Sequence, residues 1–151
     1  MPIAIKNSKI DISSEESTKK LAKKFKNYLK VGDVVFLYGE IGVGKTTFVR
    51  HLINEFQKSQ NLSLEQVTSP TFNLLNEYKL TNFIIKHYDL FRINNVSELE
   101  NLGLFENNED IITLVEWPEL IDPNMLKNRI NITFNYENDL KNRSVMINGI
   151  N

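Results

Sequence analysis

Lys45 and Thr46 close the segment Gly39-Glu40-Ile41-Gly42-Val43-Gly44-Lys45-Thr46, which matches the phosphate-binding pattern G-x-x-x-x-G-K-[ST] at every fixed position. Each residue type suits an anionic ligand. The glycines let the backbone take conformations closed to residues with a Cβ and approach a phosphate closely. Successive N–H groups then form an anion-binding concavity, and the N-terminus of a following helix adds unpaired donors and a positive dipole. The Lys45 ammonium is expected on the β- and γ-phosphates of a nucleotide, and the Thr46 hydroxyl on Mg²⁺.

Such a loop works with a carboxylate for Mg²⁺ or for the attacking water, set just beyond the carboxyl end of a central strand. Glu116 fits, because it directly follows the apolar run Ile111-Ile112-Thr113-Leu114-Val115 and is followed by the strand-breaking Trp117-Pro118. Asp89, within His87-Tyr88-Asp89-Leu90-Phe91-Arg92, ends another apolar run and is a second candidate. His87 reads as a packed or hydrogen-bonded structural histidine. His51, on the helix after the loop, has no partner legible in the sequence. Trp117, beside Glu116, is expected near the nucleotide. Two histidines and no cysteine argue against a zinc site.

The elements that must position these groups can be placed from the pattern of apolar residues. Val34-Val35-Phe36-Leu37-Tyr38 reads as a buried strand, and Phe48, Leu52 and Phe56 recur at helical spacing after the loop. The order strand, glycine turn, helix is the context a P-loop requires. Upstream, Ile3 and Ile5 alternate with Ala4 and Lys6 as in an edge strand. Ser13 with Glu16 fits a capping box, Leu21, Phe25, Tyr28 and Leu29 mark one helix face, and Gly32 is placed to close that helix. Lys19, Lys20, Lys23, Lys24, Lys26 and Lys30 fill its other faces, which is the pattern of a solvated surface and also of a docking face for RNA or an acidic partner.

Downstream, residues 58–65 read as a loop or helix end. Strands are expected over 72–79 and 83–90, a short helix over 97–102 ended by Gly103, and a short helix starting at Asp122-Pro123. A hairpin of 130–136 and 143–147 closes the pattern. The sum is an α/β fold: a three-layer P-loop NTPase-like domain, one unit over residues 1–151, with a central mixed β-sheet flanked by helices.

Composition narrows the partners. A net charge of −1 gives no global basic field for nucleic acid or an anionic membrane. The lack of cysteine suits a reducing cytoplasm, and no apolar run approaches the length of a membrane span. No N-K-x-D segment occurs and no D-x-x-G follows the loop, which argues against a GTPase. An LSGGQ-type segment is missing, which argues against a transporter ATPase, and no arginine-rich lid is evident, which weakens a nucleoside or nucleotide kinase. A minimal ATPase remains.

The P-loop with Thr47-Phe48, then Ser69-Pro70-Thr71-Phe72, then His87-Tyr88-Asp89-Leu90-Phe91-Arg92, then Val115-Glu116-Trp117-Pro118, together resemble the bacterial TsaE (YjeE) family in order and spacing, over essentially the whole chain. The resemblance implies a small cytoplasmic ATPase needed for threonylcarbamoylation of adenosine 37 in tRNAs that read codons starting with A. Its implied cofactors are ATP and Mg²⁺, and its implied partner is the TsaD–TsaB complex. It assigns nucleotide contacts to Glu40, Ile41, Gly42, Val43, Gly44, Lys45, Thr46 and Thr47, and Mg²⁺ contacts to Thr46 and Glu116. Lys45, Asp89 and Glu116 become the groups of the reaction, and Ser69, Pro70 and Thr71 a switch-like loop near the γ-phosphate. Lys141 and the start of the first helix near Glu15 are candidates for the adenine. Ile41, Val43 and Phe91 stand where the family more often carries Leu, Ala and Tyr, and the 137–142 turn lacks a glycine common there. A slow, partner-dependent ATPase is expected, because no arginine finger is identifiable, although Arg92 is a candidate. A small-molecule kinase and a non-catalytic, nucleotide-gated interaction module are the alternatives, and direct contact with tRNA stays open.

Overall fold

The computed structural model describes residues 9–70, 72–104, 106, 109–126 and 129–149. In chain order its elements are β1 (Lys9–Asp11), α1 (Glu15–Lys26), β2 (Val34–Tyr38), α2 (Lys45–Ser59), β3 (Leu75–Lys79), β4 (Ile84–Asp89), α3 (Ser97–Asn101), β5 (Ile111–Glu116), β6 (Arg129–Tyr136) and β7 (Arg143–Asn148). Two 3₁₀ turns, Pro118–Leu120 and Pro123–Met125, lie between β5 and β6. The alternating Ile3 and Ile5 fall outside the described residues.

The strands form one mixed sheet in the order β1-β7-β6-β2-β5-β4-β3. β2 is parallel to both β5 and β6, and β4 is parallel to β5. That explains why Val34 to Leu37 form a continuous apolar run: a central parallel strand is covered on both faces. The edges are antiparallel, with β3 on β4, β7 on β6 and β1 on β7.

Alternate strand residues supply two cores. Val35, Leu37, Ile85, Leu114 and Ile132 pack with Leu21 and Phe25 of α1 and Phe48, Leu52 and Phe56 of α2. Phe36, Tyr88 and Val115 pack on the opposite side with Leu99 of α3 and Ile121. The three-layer α/β expectation therefore holds, with a thin second helical layer. Phe48 of α2 links the layers of the first core: its ring centroid lies 5.7 Å from Phe25 and 5.9 Å from Phe134.

Three local expectations are corrected. The N-cap of α1 is Ser14, not Ser13, and its box partner is Ser17, not Glu16. The Ser17 N–H donates to Ser14 Oγ at 3.1 Å, and the Ser14 N–H to Ser17 Oγ at 3.2 Å. Ser13 instead joins the edge strands, donating to Asp11 Oδ1 at 2.5 Å and accepting from the Arg143 N–H at 3.0 Å. Gly32 does not close α1, which ends at Lys26 with Asn27 as its cap. It sits in the turn before β2, where its N–H donates to the Ile111 carbonyl at 2.8 Å. Strand β3 begins at Leu75, later than 72, because Leu74 takes a left-handed conformation with φ of 68°.

Removing the observed cap gives a clean test. Ser14→Ala is expected to cost about 1 kcal/mol. Glu16→Ala, at an exposed position with no capping bond, should stay within about 0.5 kcal/mol. Thermal melts of the two variants in which Glu16→Ala proved the more damaging would overturn this assignment.

Candidate nucleotide-binding site

The P-loop follows β2 at the carboxyl end of the parallel strands, where open α/β sheets bind ligands. Gly39 turns the chain where there is no room for a side chain: a Cβ would lie 2.9 Å from Phe134 Cβ and 3.0 Å from the Phe134 carbonyl oxygen. Gly44 is the N-cap of α2, left-handed with φ of 117°, and gives the helix no side-chain capping bond. The first turn of α2 carries no acidic residue. Its N–H groups and dipole are thus left to a ligand of negative charge.

The strand register gathers the acidic groups. Asp89 at the end of β4 lies across from Glu116 at the end of β5, and His87 lies across from Leu114. Period-two alternation puts His87, Asp89 and Glu116 on the sheet face that packs against α2. Glu116 is 3% exposed and Asp89 5%. The Thr46 hydroxyl donates towards both Glu116 oxygens at 3.1 Å. His87, fully buried, places Nε2 2.6 Å from Glu116 Oε2.

Asp89 ties a loop to this end of the site. Its Oδ2 accepts from Ser69 Oγ at 2.7 Å, its Oδ1 accepts from the Phe91 N–H at 3.0 Å, and its own N–H donates to the Leu74 carbonyl at 3.1 Å. The Leu74 N–H in turn donates to the Pro70 carbonyl at 2.6 Å. Thr71 lies outside the described residues.

Lys45, 5% exposed, donates from Nζ to the Gly39 carbonyl, and the ammonium stands 3.6 Å from the centroid of the Trp117 ring. Burial pushes its pKa below the usual lysine range, and the Glu116, Glu119 and Asp89 carboxylates oppose that shift. Trp117 reaches this position with φ of 58°, a left-handed conformation costly for a residue with a Cβ, and packs on Phe91 with ring centroids 4.8 Å apart. Backbone strain of this kind concentrates at ligand sites.

Lys45, Asp89, Glu116, Phe91 and Trp117 line a cavity of about 410 Å³. The expected Ile41, Gly42, Gly44, Lys45, Thr46, Thr47, Ser69, Asp89 and Glu116 all border it. Glu40 and Val43 border a second cavity of about 360 Å³, which also touches Trp117 and Tyr136.

Three candidates stand elsewhere. Lys141 is exposed in the turn between β6 and β7, and does not border the nucleotide cavity. Glu15 is engaged by α2, accepting from Arg50 Nη2 at 2.7 Å and lying 2.9 Å from His51 Nε2, so His51 does have a partner. The exposed Arg92 lays its guanidinium 5.0 Å from the Phe72 ring centroid and is not among the cavity residues.

Arg143 does border the cavity and was not among the sequence candidates. It begins β7, and since β7 runs antiparallel to β6, its first residue falls at the same end of the sheet as the P-loop. Its Nη2 donates to the Ser13 carbonyl at 3.3 Å. Hairpin direction was the available signal for it. The contact of His87 with Glu116 comes from the parallel register of β4 and β5 and has no local signal in the sequence.

Carboxylate and hydroxyl oxygens beside a phosphate cradle are a donor set that fits Mg²⁺. That ion is commonly held by one or two carboxylates plus substrate phosphates, not by a protein cage. No cluster of three or more His, Cys, Asp or Glu that could hold a metal occurs among the described residues.

A parallel-centred sheet with this loop at its carboxyl end defines a P-loop NTPase-like protein. The crystal structure of YdiB from Bacillus shares the fold, with a TM-score of 0.71 and 26% identity over 95% of this chain and 86% of that one. The chain belongs to the TsaE family: residues 12–145 match the family model described as threonylcarbamoyl adenosine biosynthesis protein TsaE. Relatives named tRNA threonylcarbamoyladenosine biosynthesis protein TsaE include that of Rickettsia conorii, 46% identical over 73% of this chain and 61% of the relative. That of Rickettsia bellii is 45% identical over 76% of this chain and 77% of the relative. The match thus spans less than two thirds of the Rickettsia conorii protein. Among the described residues no helix is long and apolar enough to cross a membrane.

Proposed function

We propose that this chain is an ATP hydrolase of tRNA threonylcarbamoyladenosine synthesis. It binds ATP with Mg²⁺ and acts with the TsaD–TsaB complex to sustain modification of adenosine 37 in tRNAs reading codons that start with A. The observation that carries this reading is the Thr46 hydroxyl, 3.1 Å from both oxygens of Glu116 at the mouth of an uncapped helix N-terminus.

The backbone from Glu40 to Thr47 cradles the phosphates, and Lys45 leaves the Gly39 carbonyl and the Trp117 ring to meet their charge. Thr46 and Glu116 would hold Mg²⁺, which neutralises charge developing on the phosphates. Asp89 serves the attacking water and, through Ser69, couples the switch-like 69–71 loop to the γ-phosphate end.

Intrinsic turnover is expected to be slow, because the arginine that borders the cavity among the described residues, Arg143, lays its guanidinium against the P-loop backbone, with Nη1 3.5 Å from where a Cβ on Gly44 would lie. A group supplied by the partner would account for activation, which for such groups reaches ~10³–10⁵-fold.

Reconstituted synthesis on a tRNA reading such codons tests the proposal. With TsaD–TsaB present, omitting this chain or its ATP should leave little beyond a single round of product. Sustained rounds without it would contradict the proposal.

A further inference from the structure

We infer that His87 is a positioning residue that locks the Glu116 carboxylate for a divalent cation, an inference resting on the reading of Glu116 as a cation-binding carboxylate. Glu116 is gripped from two sides by different elements. Thr46, from α2, approaches both of its oxygens, while His87, from β4, takes only Oε2 at 2.6 Å. The two grips differ in permanence. Thr46 is part of the cavity wall and partly exposed, so its hydroxyl is shared with whatever enters. His87 is fully buried and does not border the cavity, so no ligand competes for it.

The ring has one polar engagement among the described residues. Its Nδ1 is buried without a hydrogen-bond partner, so Nε2 is the nitrogen that carries the proton and donates. That hydrogen bond, from a ring buried on another strand, fixes the orientation of the carboxylate. With Oε2 held by His87 as well as Thr46, Oε1 is the oxygen left to the cation. Partners that orient a ligating carboxylate in this way typically change metal affinity by 10–100-fold when removed.

The test compares His87→Gln, whose amide N–H reaches the place of Nε2, with His87→Asn, whose amide stops near the place of Nδ1. Binding of a ribose-labelled fluorescent ATP is followed in titrations of Mg²⁺ and separately in excess EDTA, with a thermal melt of each variant. His87→Asn should need about 10- to 100-fold more Mg²⁺ for half-maximal response, with EDTA-condition affinity unchanged. His87→Gln should stay within about threefold of the unaltered chain.

An unchanged Mg²⁺ requirement in His87→Asn overturns the inference, as does an equal loss with and without metal, which is what a packing role gives. If His87→Asn does not fold, a tenfold or greater loss in a folded His87→Gln overturns it and a near-normal requirement supports it. Mg²⁺-independent binding by the unaltered chain is a different failure: it removes the role given to Glu116 and this inference with it.

Discussion

Alanine at position 45 is expected to abolish measurable ATP turnover, lowering kcat/KM by about 10³-fold or more, while the chain stays folded. Two losses combine. A charge-assisted hydrogen bond to phosphate contributes about 1.5–3 kcal/mol, or roughly 10- to 150-fold in ground-state affinity. A preorganised donor aimed at charge developing in the transition state contributes about 10²–10³-fold in rate. The fold should tolerate the change, because the buried Lys45 ammonium is a desolvated charge whose pKa burial already depresses. Its ammonium meets the Gly39 carbonyl and the Trp117 ring, which itself packs at the margin of the second core and keeps those contacts without Lys45. The melting midpoint is expected within a few degrees of the original, about what 1 kcal/mol represents in a chain of this size. Calorimetric titration with ATP together with phosphate-release assays would check this. Wild-type affinity in the variant would remove Lys45 from the phosphate site.

Glu116→Gln should separate binding from hydrolysis. The amide keeps the shape of the carboxylate and one oxygen for Thr46 or His87, but loses the charge that a cation requires. Turnover in Mg²⁺ is expected to fall by about 10²–10³-fold. In excess EDTA, nucleotide affinity should be unchanged or higher, because a negative charge facing the polyphosphate has gone. The same variant discriminates a hydrolase from a nucleotide-gated module. A gating protein would still sustain tRNA modification with Gln at 116, provided ATP binds, whereas a hydrolase would not.

The parts of this molecule legible in the sequence are those where one strong local signal met no competitor. β2 was readable because its four buried residues are apolar on both faces, and the P-loop because glycine spacing and flanks agree. Glu116 was readable because Trp117-Pro118 ends its strand.

What was misplaced depends on one-residue phase or on tertiary contact. Ser13 and Ser14 are chemically equivalent as caps, and the choice between them came from the β1–β7 pairing that engages Ser13 with Arg143. Gly32 looked like a helix terminator, but its left-handed φ of 96° serves the turn into β2. Arg143 could be found only by following strand direction through the last hairpin, since no motif surrounds it. The link from His87 to Glu116 spans 29 residues and depends on the parallel register of β4 and β5, which no local pattern encodes.

The central claim is that this P-loop hydrolyses ATP under the control of a protein partner. Phosphate release should therefore be measured for the purified chain alone and with TsaD–TsaB, alongside Lys45→Ala and Glu116→Ala. The expected result is slow release alone, marked stimulation by the partner, and loss of that stimulation in both variants. Tight ATP binding with no stimulation, or fast hydrolysis that ignores the partner, would contradict it.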